Sequence, residues 1–245
     1  MDGAGTLCVA GGSVLCAGMD GAVWRMDRRT LMPQAFFPGG PGICDMLVSP
    51  DRRRVYTLSG EADSILMSDA SLGSPLAVNR CGCNPQHMIL ADGMLGAAGA
   101  QSCRIHLYDP DTLEGMGEVS MPGPVYSAAF CAGCVFALCL TAELGSLLVK
   151  THGGRQRTAL LQGMPGYLLA ESGMLLAATQ GWLHVFAADD LQMVLRIKAP
   201  GRPSRMWISG KNLFAYDPLN ACAWLCREGG VWHALHTQIR AMSVQ

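Results

Sequence analysis

The sequence predicts an all-β fold, a β-propeller of four-stranded antiparallel blades, with six blades favoured and seven as the alternative. Two observations carry this prediction. Phrases that lead through proline or glycine into an apolar run recur about every forty residues, a spacing typical of propeller blades. Within each repeat, four short apolar runs alternate with turn residues. A helical fold is disfavoured because glycine and proline interrupt these runs too often.

The leading proline marks the period of the repeat, with Gln238 in its place in the last repeat. The positions are Pro41, Pro85, Pro124, Pro165, Pro203 and Gln238, separated by 44, 39, 41, 38 and 35 residues. An earlier repeat without the proline begins near Gly5. We therefore expect a single propeller domain over residues 1–245. The tail "IRAMSVQ" resembles another innermost strand, which either closes the ring against the first blade or begins a further blade.

The second repeat shows the order of the runs most clearly. "ICDMLVS", "VYTLSG", "ILMSDA" and "PLAVNRC" have strand-like lengths, and "PDRRR" and "EADS" are turns between them. A four-stranded sheet of this kind cannot bury two apolar faces alone. Radial packing of the sheets buries those faces against one another, which is the β-propeller arrangement.

The phrase "PGICDMLVSPDRRRVYTLSGEADSILMSDASLGSPLAV" resembles the Tyr-Val-Thr-Asn (YVTN) repeat, a WD-like β-propeller repeat. The residues that carry the resemblance are Pro41, Ser49, Pro50, Asp51, Tyr56 and Asp69. Asp27, Asp109 and Asp189 take the place of the strand-closing aspartate in other repeats. Arg52 stands where the family has a turn glycine, and "YTLS" replaces its namesake tetrapeptide. The resemblance implies a fold and supplies no catalytic set.

Composition excludes several classes of protein. Half of the residues are hydrophobic and 15% are charged, which excludes a disordered chain. The net charge of -1 gives no general attraction to nucleic acid or anionic membrane, so we expect neither as a partner. We see no secretion signal and no apolar run of the roughly 20 residues that cross a bilayer. With eleven cysteines scattered mainly through apolar runs, we expect reduced thiols and a cytoplasmic protein.

One candidate ligand site is the mouth of the propeller channel, at the position two residues after each leading proline. The residues there that we expect to bind a ligand are His87, Tyr126, Tyr167, Arg205 and, by extension, Arg240. Aromatic rings and cations suit a small anionic or aromatic ligand through stacking and charge-assisted hydrogen bonds. The alternative is that such half-exposed positions simply accept large amphipathic residues.

A second candidate is a basic patch on turns of the first two repeats. Its members are Arg28, Arg29, Arg52, Arg53 and Arg54. If neighbouring blades bring these turns together, the patch would attract an acidic protein or a polyanion in a salt-sensitive way. The alternative is a pair of solvated turns that keep the protein soluble.

Cysteine and histidine clusters offer little for metal or redox chemistry. The groups considered are Cys81 with Cys83 and His87, Cys131 with Cys134, and Cys222 with Cys226. A structural zinc site needs four ligands, and no second Cys-x-x-Cys completes one. We therefore expect structural thiols, no metal and no cofactor. His106, His184 and His233 lie in or beside apolar runs, where a partly buried histidine is more usual than a catalytic base.

The function predicted from these patterns is non-catalytic: a binding or scaffold protein that recognises a protein partner, or a small anionic or aromatic ligand. No nucleophile elbow, phosphate-binding loop or His-Glu-x-x-His motif is present. The resemblance leaves two alternatives, a lactonase-like hydrolase and a subunit of a redox complex. The hydrolase would need an acid–base pair or a bound metal at the channel mouth, and Asp45 on the adjacent blade is the one candidate partner for His87.

Overall fold

The computed structural model describes residues 4–18, 20–71, 74–82, 84–217, 222–227 and 232–235. Within these residues every regular element is a β-strand, and the strands form six four-stranded sheets. In each sheet the strands follow one another in chain order. This is the fold of a six-bladed β-propeller, as the repeat predicted. The described part of the chain has no helix of the length and apolarity needed to span a membrane.

The six sheets are built from consecutive strands. The first three comprise β1 (Ala4–Ala10), β2 (Ser13–Gly18), β3 (Ala22–Asp27), β4 (Pro33–Pro38); β5 (Ile43–Val48), β6 (Arg54–Ser59), β7 (Ser64–Asp69), β8 (Pro75–Arg80); and β9 (His87–Ala91), β10 (Met94–Ala98), β11 (Arg104–Tyr108), β12 (Gly115–Ser120). The last three comprise β13 (Val125–Cys131), β14 (Cys134–Leu140), β15 (Ser146–His152), β16 (Arg155–Leu161); β17 (Pro165–Glu171), β18 (Met174–Thr179), β19 (Trp182–Ala187), β20 (Met193–Lys198); and β21 (Arg205–Ser209), β22 (Asn212–Asp217), β23 (Cys222–Cys226), β24 (Trp232–Leu235).

By compactness the chain divides into two units, residues 1–133 and 134–245. The first unit contains β1 to β13 and the second contains β14 to β24. The expectation of one domain over the whole chain stays a prediction. The predicted seventh innermost strand, "IRAMSVQ", lies outside the described residues.

The first unit buries its sheets against one another through apolar side chains from adjacent repeats. Leu15 and Val23 of the first sheet pack with Ile43 and Val55 of the second. The opposite face of the second sheet packs on the third through a cluster that includes Tyr56, Leu58, Ile65, Met67, Met88 and Leu95. Strand β6 is buried along both faces, with Val55 towards the first sheet and Tyr56 and Leu58 towards the third. Its buried Thr57 and Ser59 hydroxyls donate to the Gly39 and Pro41 carbonyls, so these polar groups are satisfied within the fold.

In the second unit, apolar side chains bury the fifth and sixth sheets of the chain against each other in the same way. Leu176 and Leu183 of the fifth sheet pack with Met206, Leu213 and Trp224 of the sixth. Outermost strands such as β16 and β20 are largely exposed, because each has only one neighbouring strand. The repeat therefore concentrates its buried apolar residues in the first three strands of each sheet.

The turn after the third strand is built on an aspartate in the first three sheets. The carboxylate of Asp27 accepts hydrogen bonds from the backbone N–H groups of Arg29 and Thr30, at 2.9 Å each. Asp69 and Asp109 accept equivalent bonds, from Ser71 in one case and from Asp111 and Thr112 in the other. This Asx-type bonding explains why aspartate recurs where the third strand ends.

Asp189 departs from the predicted pattern. The third strand of the fifth sheet ends at Ala187, whose carbonyl accepts the Leu191 N–H as the Asp27 carbonyl accepts that of Leu31. Ala187 thus occupies the strand-closing position, and Asp189 lies two residues farther along, where it accepts the Asp190 N–H. The prediction that Asp189 closes the strand is wrong, because the turn register is set by backbone pairing and not by the nearest carboxylate.

The Ser49-Pro50-Asp51 turn between β5 and β6 forms its own hydrogen-bond network. Ser49 Oγ donates to Asp51 Oδ1 at 2.5 Å and accepts the Arg54 N–H at 2.9 Å. Asp51 Oδ1 also accepts the Arg53 N–H at 3.1 Å. Arg52 has a φ of +61°, in the left-handed region where the resembling family has glycine.

Long cationic side chains link successive sheets in both units. In the first unit, Arg25 Nη1 on β3 donates to the Ser71 carbonyl in the β7–β8 turn at 2.8 Å. In the second unit, Lys150 Nζ on β15 donates to the Ala188 and Asp189 carbonyls in the β19–β20 turn, at 2.8 and 2.5 Å. Both links run from the third strand of one sheet to the following sheet's last turn, so they add directional contacts to the apolar packing.

Replacing Arg52 by glycine should stabilise the protein. Glycine adopts the left-handed conformation without the clash of a Cβ, so we expect Arg52→Gly to raise the free energy of unfolding by about 1 kcal/mol. The measurement is urea unfolding followed by circular dichroism. The matched control is Arg53→Gly, outside the left-handed region, which should lower that free energy by up to about 1 kcal/mol. If the two substitutions changed the free energy of unfolding equally, the backbone at Arg52 would not be strained.

Candidate functional site

The turns that carry the predicted basic patch adjoin one another in the first unit. The Arg28 N–H donates to the Gly12 carbonyl at 3.0 Å. Arg52 Nη1 lies 3.9 Å from the point that a Cβ would occupy on Gly11. The β1–β2 turn is therefore in contact with both arginine-bearing turns. Four side chains are exposed there, and we call them the arginine surface: Arg28, Arg29, Arg52 and Arg53.

Carboxylates beside the arginine surface are already occupied by local hydrogen bonds. Backbone N–H donors, chiefly that of Thr30, hold the pKa of Asp27 below its usual value. The hydroxyl of Ser49 and then the N–H of Arg53 do the same for the pKa of Asp51. Only Arg53 approaches one of these groups, with Nε 4.0 Å from Asp51 Oδ2. Among the described residues Arg28, Arg29 and Arg52 form no ion pair.

Arg54, the fifth member of the predicted patch, is placed differently. It is half-buried, and its guanidinium donates to the carboxylate of Asp111 on the third sheet. Next to it, the Tyr56 hydroxyl donates to the Pro110 carbonyl at 2.7 Å. Arg54 therefore joins the second sheet to the third and contributes less free positive charge than its four neighbours.

A buried contact between a histidine and an aspartate joins the first strands of the second and third sheets. His87 Nδ1 lies 3.1 Å from Asp45 Oδ2, and the two residues are 6% and 3% exposed. The same Asp45 oxygen accepts the Met88 N–H at 2.8 Å, while Asp45 Oδ1 accepts the N–H of Met46 at 2.9 Å. Asp45 is thus the partner that the sequence suggested for His87, and both of its oxygens accept protein donors.

The other predicted mouth residues that the structure describes are divided between the two units. Tyr126 is half-buried on β13 of the first unit. In the second unit, the Arg205 guanidinium lies 5.7 Å from the ring centroid of Tyr167, a cation–π contact between the first strands of adjacent sheets. Arg240 lies outside the described residues. A ligand role for these residues, and for the buried His87, stays a prediction.

The cysteines that the structure describes show no grouping that could hold a metal. No group of three or more His, Cys, Asp or Glu side chains is suitably arranged in the ranges that the structure describes, which do not include Cys83. Burial raises the pKa of the Cys8 thiol to about 12 and also raises those of Cys16 and Cys226. These three thiols therefore stay protonated and behave as small apolar side chains.

His184 is a buried histidine on the third strand of the fifth sheet. Its Nε2 lies 3.3 Å from Thr179 Oγ1, which donates to the Gln162 carbonyl at 2.6 Å. Nε2 therefore carries the proton, and the buried Nδ1 has no partner among the described residues. Burial, with a smaller contribution from Arg196 on the adjacent strand, lowers the pKa of His184 to about 4. The side chain is neutral at pH 7 and, at 1% exposed, cannot meet a substrate.

An open cleft that the sequence did not predict lies between the second and third sheets. It is lined by Gly60, Asp63, Gly82, Asn84, Gln101, Ser102, Cys103 and Arg104. These residues come from the β6–β7 turn, the β8–β9 connection, and the β10–β11 turn with the first residue of β11. The signal in the sequence was two short polar stretches, "CGCNPQ" and "GAQSCR", but only the fold brings them together.

Comparisons with known proteins address the fold. A scan against protein-family models and a search of curated proteins found no match. The chain is similar to the solved structure of Kuenenia stuttgartiensis hydrazine synthase, with a TM-score of 0.71 and 14% identity over 89% of this chain and 74% of that one. It is also similar to the computationally designed Ika8 protein, with a TM-score of 0.69 and 13% identity over 91% and 70% of the two chains. At these identities the likeness shows the fold alone, and the YVTN resemblance stays a prediction.

Removing one acceptor from the buried Asp45 carboxylate should destabilise the first unit. In Asp45→Asn the amide nitrogen replaces one oxygen and faces the N–H of either Met88 or Met46, leaving a buried donor unsatisfied. We expect the free energy of unfolding to fall by about 2 kcal/mol, measured by urea unfolding. Glu114→Gln, at an exposed turn position, is the matched control and should change it by less than about 0.5 kcal/mol. If Asp45→Asn left the free energy of unfolding unchanged, the structural role assigned to Asp45 and His87 would be contradicted.

His184 should make stability depend on pH. Its pKa is about 4 in the folded protein and about 6.5 when unfolded, so the unfolded chain binds more protons between these values. Stability is therefore full above pH 6.5 and falls by about 3 kcal/mol as the pH drops to 4. We expect His184→Gln to flatten this part of a stability-versus-pH curve. His152→Gln, at an exposed histidine, should leave the curve unchanged.

Proposed function

We propose that this protein is a non-catalytic binding scaffold whose arginine surface docks an acidic segment of a protein partner. The propeller fold fits a binding or scaffold role in general. The observation that supports this specific proposal is the set of four exposed arginines on adjoining turns of the first two sheets. Turns held by a rigid sheet are a common place for recognition residues.

The chemistry of the arginine surface suits carboxylates. Each guanidinium is planar and can donate two parallel hydrogen bonds to a carboxylate, which gives both affinity and orientation. The nearby Asp27 and Asp51 carboxylates accept backbone and hydroxyl donors, so most of the guanidinium N–H donors are left for a partner. Because these side chains are exposed, the association should weaken as salt screens the charges.

The lactonase-like alternative has less support. An acid–base pair needs one group that can reach substrate, whereas Asp45 uses both oxygens within the protein and lies buried beside His87. A pair that links two sheets in this way has a sufficient structural role. No feature of the described residues favours the redox-complex alternative over the binding scaffold.

A small anionic ligand at Tyr167 and Arg205 remains a further prediction for the second unit. The cation–π contact holds the Arg205 guanidinium over an aromatic ring. Such an arrangement suits an anion through charge-assisted hydrogen bonds. The arginine surface is preferred because its cations are more exposed and more numerous.

Charge reversal tests the proposed docking. The intact protein should bind immobilised polyglutamate, a model of an acidic protein segment, with an affinity that falls as salt rises. The variant Arg28→Glu with Arg29→Glu should lose about tenfold or more in affinity, since like charges then oppose the peptide. Surface plasmon resonance over a series of salt concentrations measures both effects.

The control applies the same change in net charge elsewhere. Arg155→Glu with Arg157→Glu alters two exposed arginines on β16 in the second unit. If the arginine surface is the docking site, this variant retains most of the affinity. Equal losses in the two variants would mean that binding reports net charge alone, and the proposal would fail.

A further inference from the structure

The cleft between the second and third sheets has the dimensions of a ligand site. Its volume is about 580 Å³, within the roughly 300–1,000 Å³ typical of small-molecule sites. It lies at the β6–β7 end of β6, whereas the arginine surface lies at the β5–β6 end. Six residues of strand, about 20 Å, separate the two ends. A ligand here would bind independently of the proposed acidic partner.

The wall formed by the second sheet is fixed by the side chain and backbone of Asp63. The Asp63 carbonyl accepts the Cys81 N–H at 2.8 Å, and its Oδ1 accepts the Asn84 N–H at 2.9 Å. The β6–β7 turn and the connection to the third sheet are therefore bonded together. This wall is in place before any ligand arrives, which lowers the entropic cost of binding.

The wall formed by the third sheet is fixed in the same manner. The Ser102 N–H donates to the Gly99 carbonyl at 2.9 Å, and the Ser102 carbonyl accepts the Val125 N–H at 3.0 Å. The Cys103 carbonyl accepts the Met121 N–H at 2.7 Å. The β10–β11 turn is thus tied to the segment that leads into β13, and its polar side chains project from a supported backbone.

Two glycines keep the cleft open. A Cβ added to Gly82 would meet nothing within 4 Å, so the space beside this residue is empty. A Cβ added to Gly60 would lie 3.3 Å from the Pro85 carbonyl oxygen and would narrow the floor. Small residues at these positions allow a ligand to approach the backbone closely.

The ionisable side chains of the lining do not favour an anion. Arg104 Nη1 donates to both carboxylate oxygens of Glu118, at 2.8 and 3.0 Å, so its guanidinium is paired within the third sheet. Besides Arg104, the described lining contains one acidic side chain, that of Asp63. A strongly anionic ligand would find no unpaired cation among the described lining residues, which disfavours a phosphate or a carboxylate.

The remaining side chains offer neutral hydrogen-bonding groups. The carboxamides of Asn84 and Gln101 each provide two donors and one acceptor, and the Ser102 hydroxyl can donate while it accepts the Arg104 N–H. Hydroxyl groups of a ligand also donate and accept, so they match this mixed lining better than an apolar surface would. We infer that the cleft binds a neutral polyhydroxyl compound of one or two sugar rings.

The exposed Cys103 thiol in the lining provides a reporter for this proposal. The intact protein is alkylated with iodoacetamide, and the rate at Cys103 is followed by peptide mass mapping. Glucose, maltose and myo-inositol are the probes, and inorganic phosphate is the anionic comparison. At about ten times its dissociation constant, a binding sugar should slow alkylation of Cys103 about tenfold, because the fraction of empty cleft falls accordingly.

Two variants locate the effect. Gln101→Trp places a large ring in the cleft, and Asn84→Gly removes one carboxamide while tolerating the φ of +46° at that position. Both should abolish or weaken protection by the sugar while the melting temperature shows that the protein is folded. Gln192→Trp, at an exposed turn of the fifth sheet, is the matched control and should leave protection intact.

Three results would overturn the inference. The first is that no probe sugar slows alkylation in the unaltered protein. The second is that phosphate protects as well as the sugars do. The third is that protection persists in folded Gln101→Trp.

Discussion

Burial of both faces of each sheet is the constraint on which this structure depends. A four-stranded sheet with apolar residues on both sides is stable only when neighbouring sheets cover it. In the first unit the second sheet satisfies this requirement twice, against the first sheet through Ile43 and Val55 and against the third through Tyr56 and Leu58. Strand β6 is consequently buried along nearly its whole length, and its polar Thr57 and Ser59 side chains are hydrogen-bonded to backbone carbonyls.

Directional polar contacts supplement this packing at places where sheets meet. Asp45 bonds to His87 and Met88 at the start of the third sheet, and Arg54 bonds to Asp111 at the other end of the same sheets. Apolar contacts are not directional, whereas a hydrogen bond from a particular backbone N–H to a carboxylate is lost if one sheet shifts relative to the other. These contacts therefore fix how the second and third sheets are aligned, which in turn sets the shape of the cleft between their turns.

The two ends of these sheets have different chemistry because turn residues are free of the packing requirement. One end presents the arginine surface, whose guanidinium groups form few ion pairs among the described residues. The other end presents a hydrogen-bonding cleft whose guanidinium is paired with Glu118. A scaffold stabilised by its strands can support two such surfaces, and neither requires catalytic chemistry.

The amino-acid sequence by itself determined the strands, the period and the local turns. Alternation of apolar runs with turn residues is a short-range pattern, and the bonding of Asp27 or Ser49 spans only a few residues. Tertiary structure decided the rest, because the decisive contacts join residues far apart in the chain: Asp45 with His87, Arg54 with Asp111, and the three segments around the cleft. It also decided that His87 is buried and that Ala187 takes the place expected for Asp189, since burial and turn register follow from how neighbouring strands pair and pack.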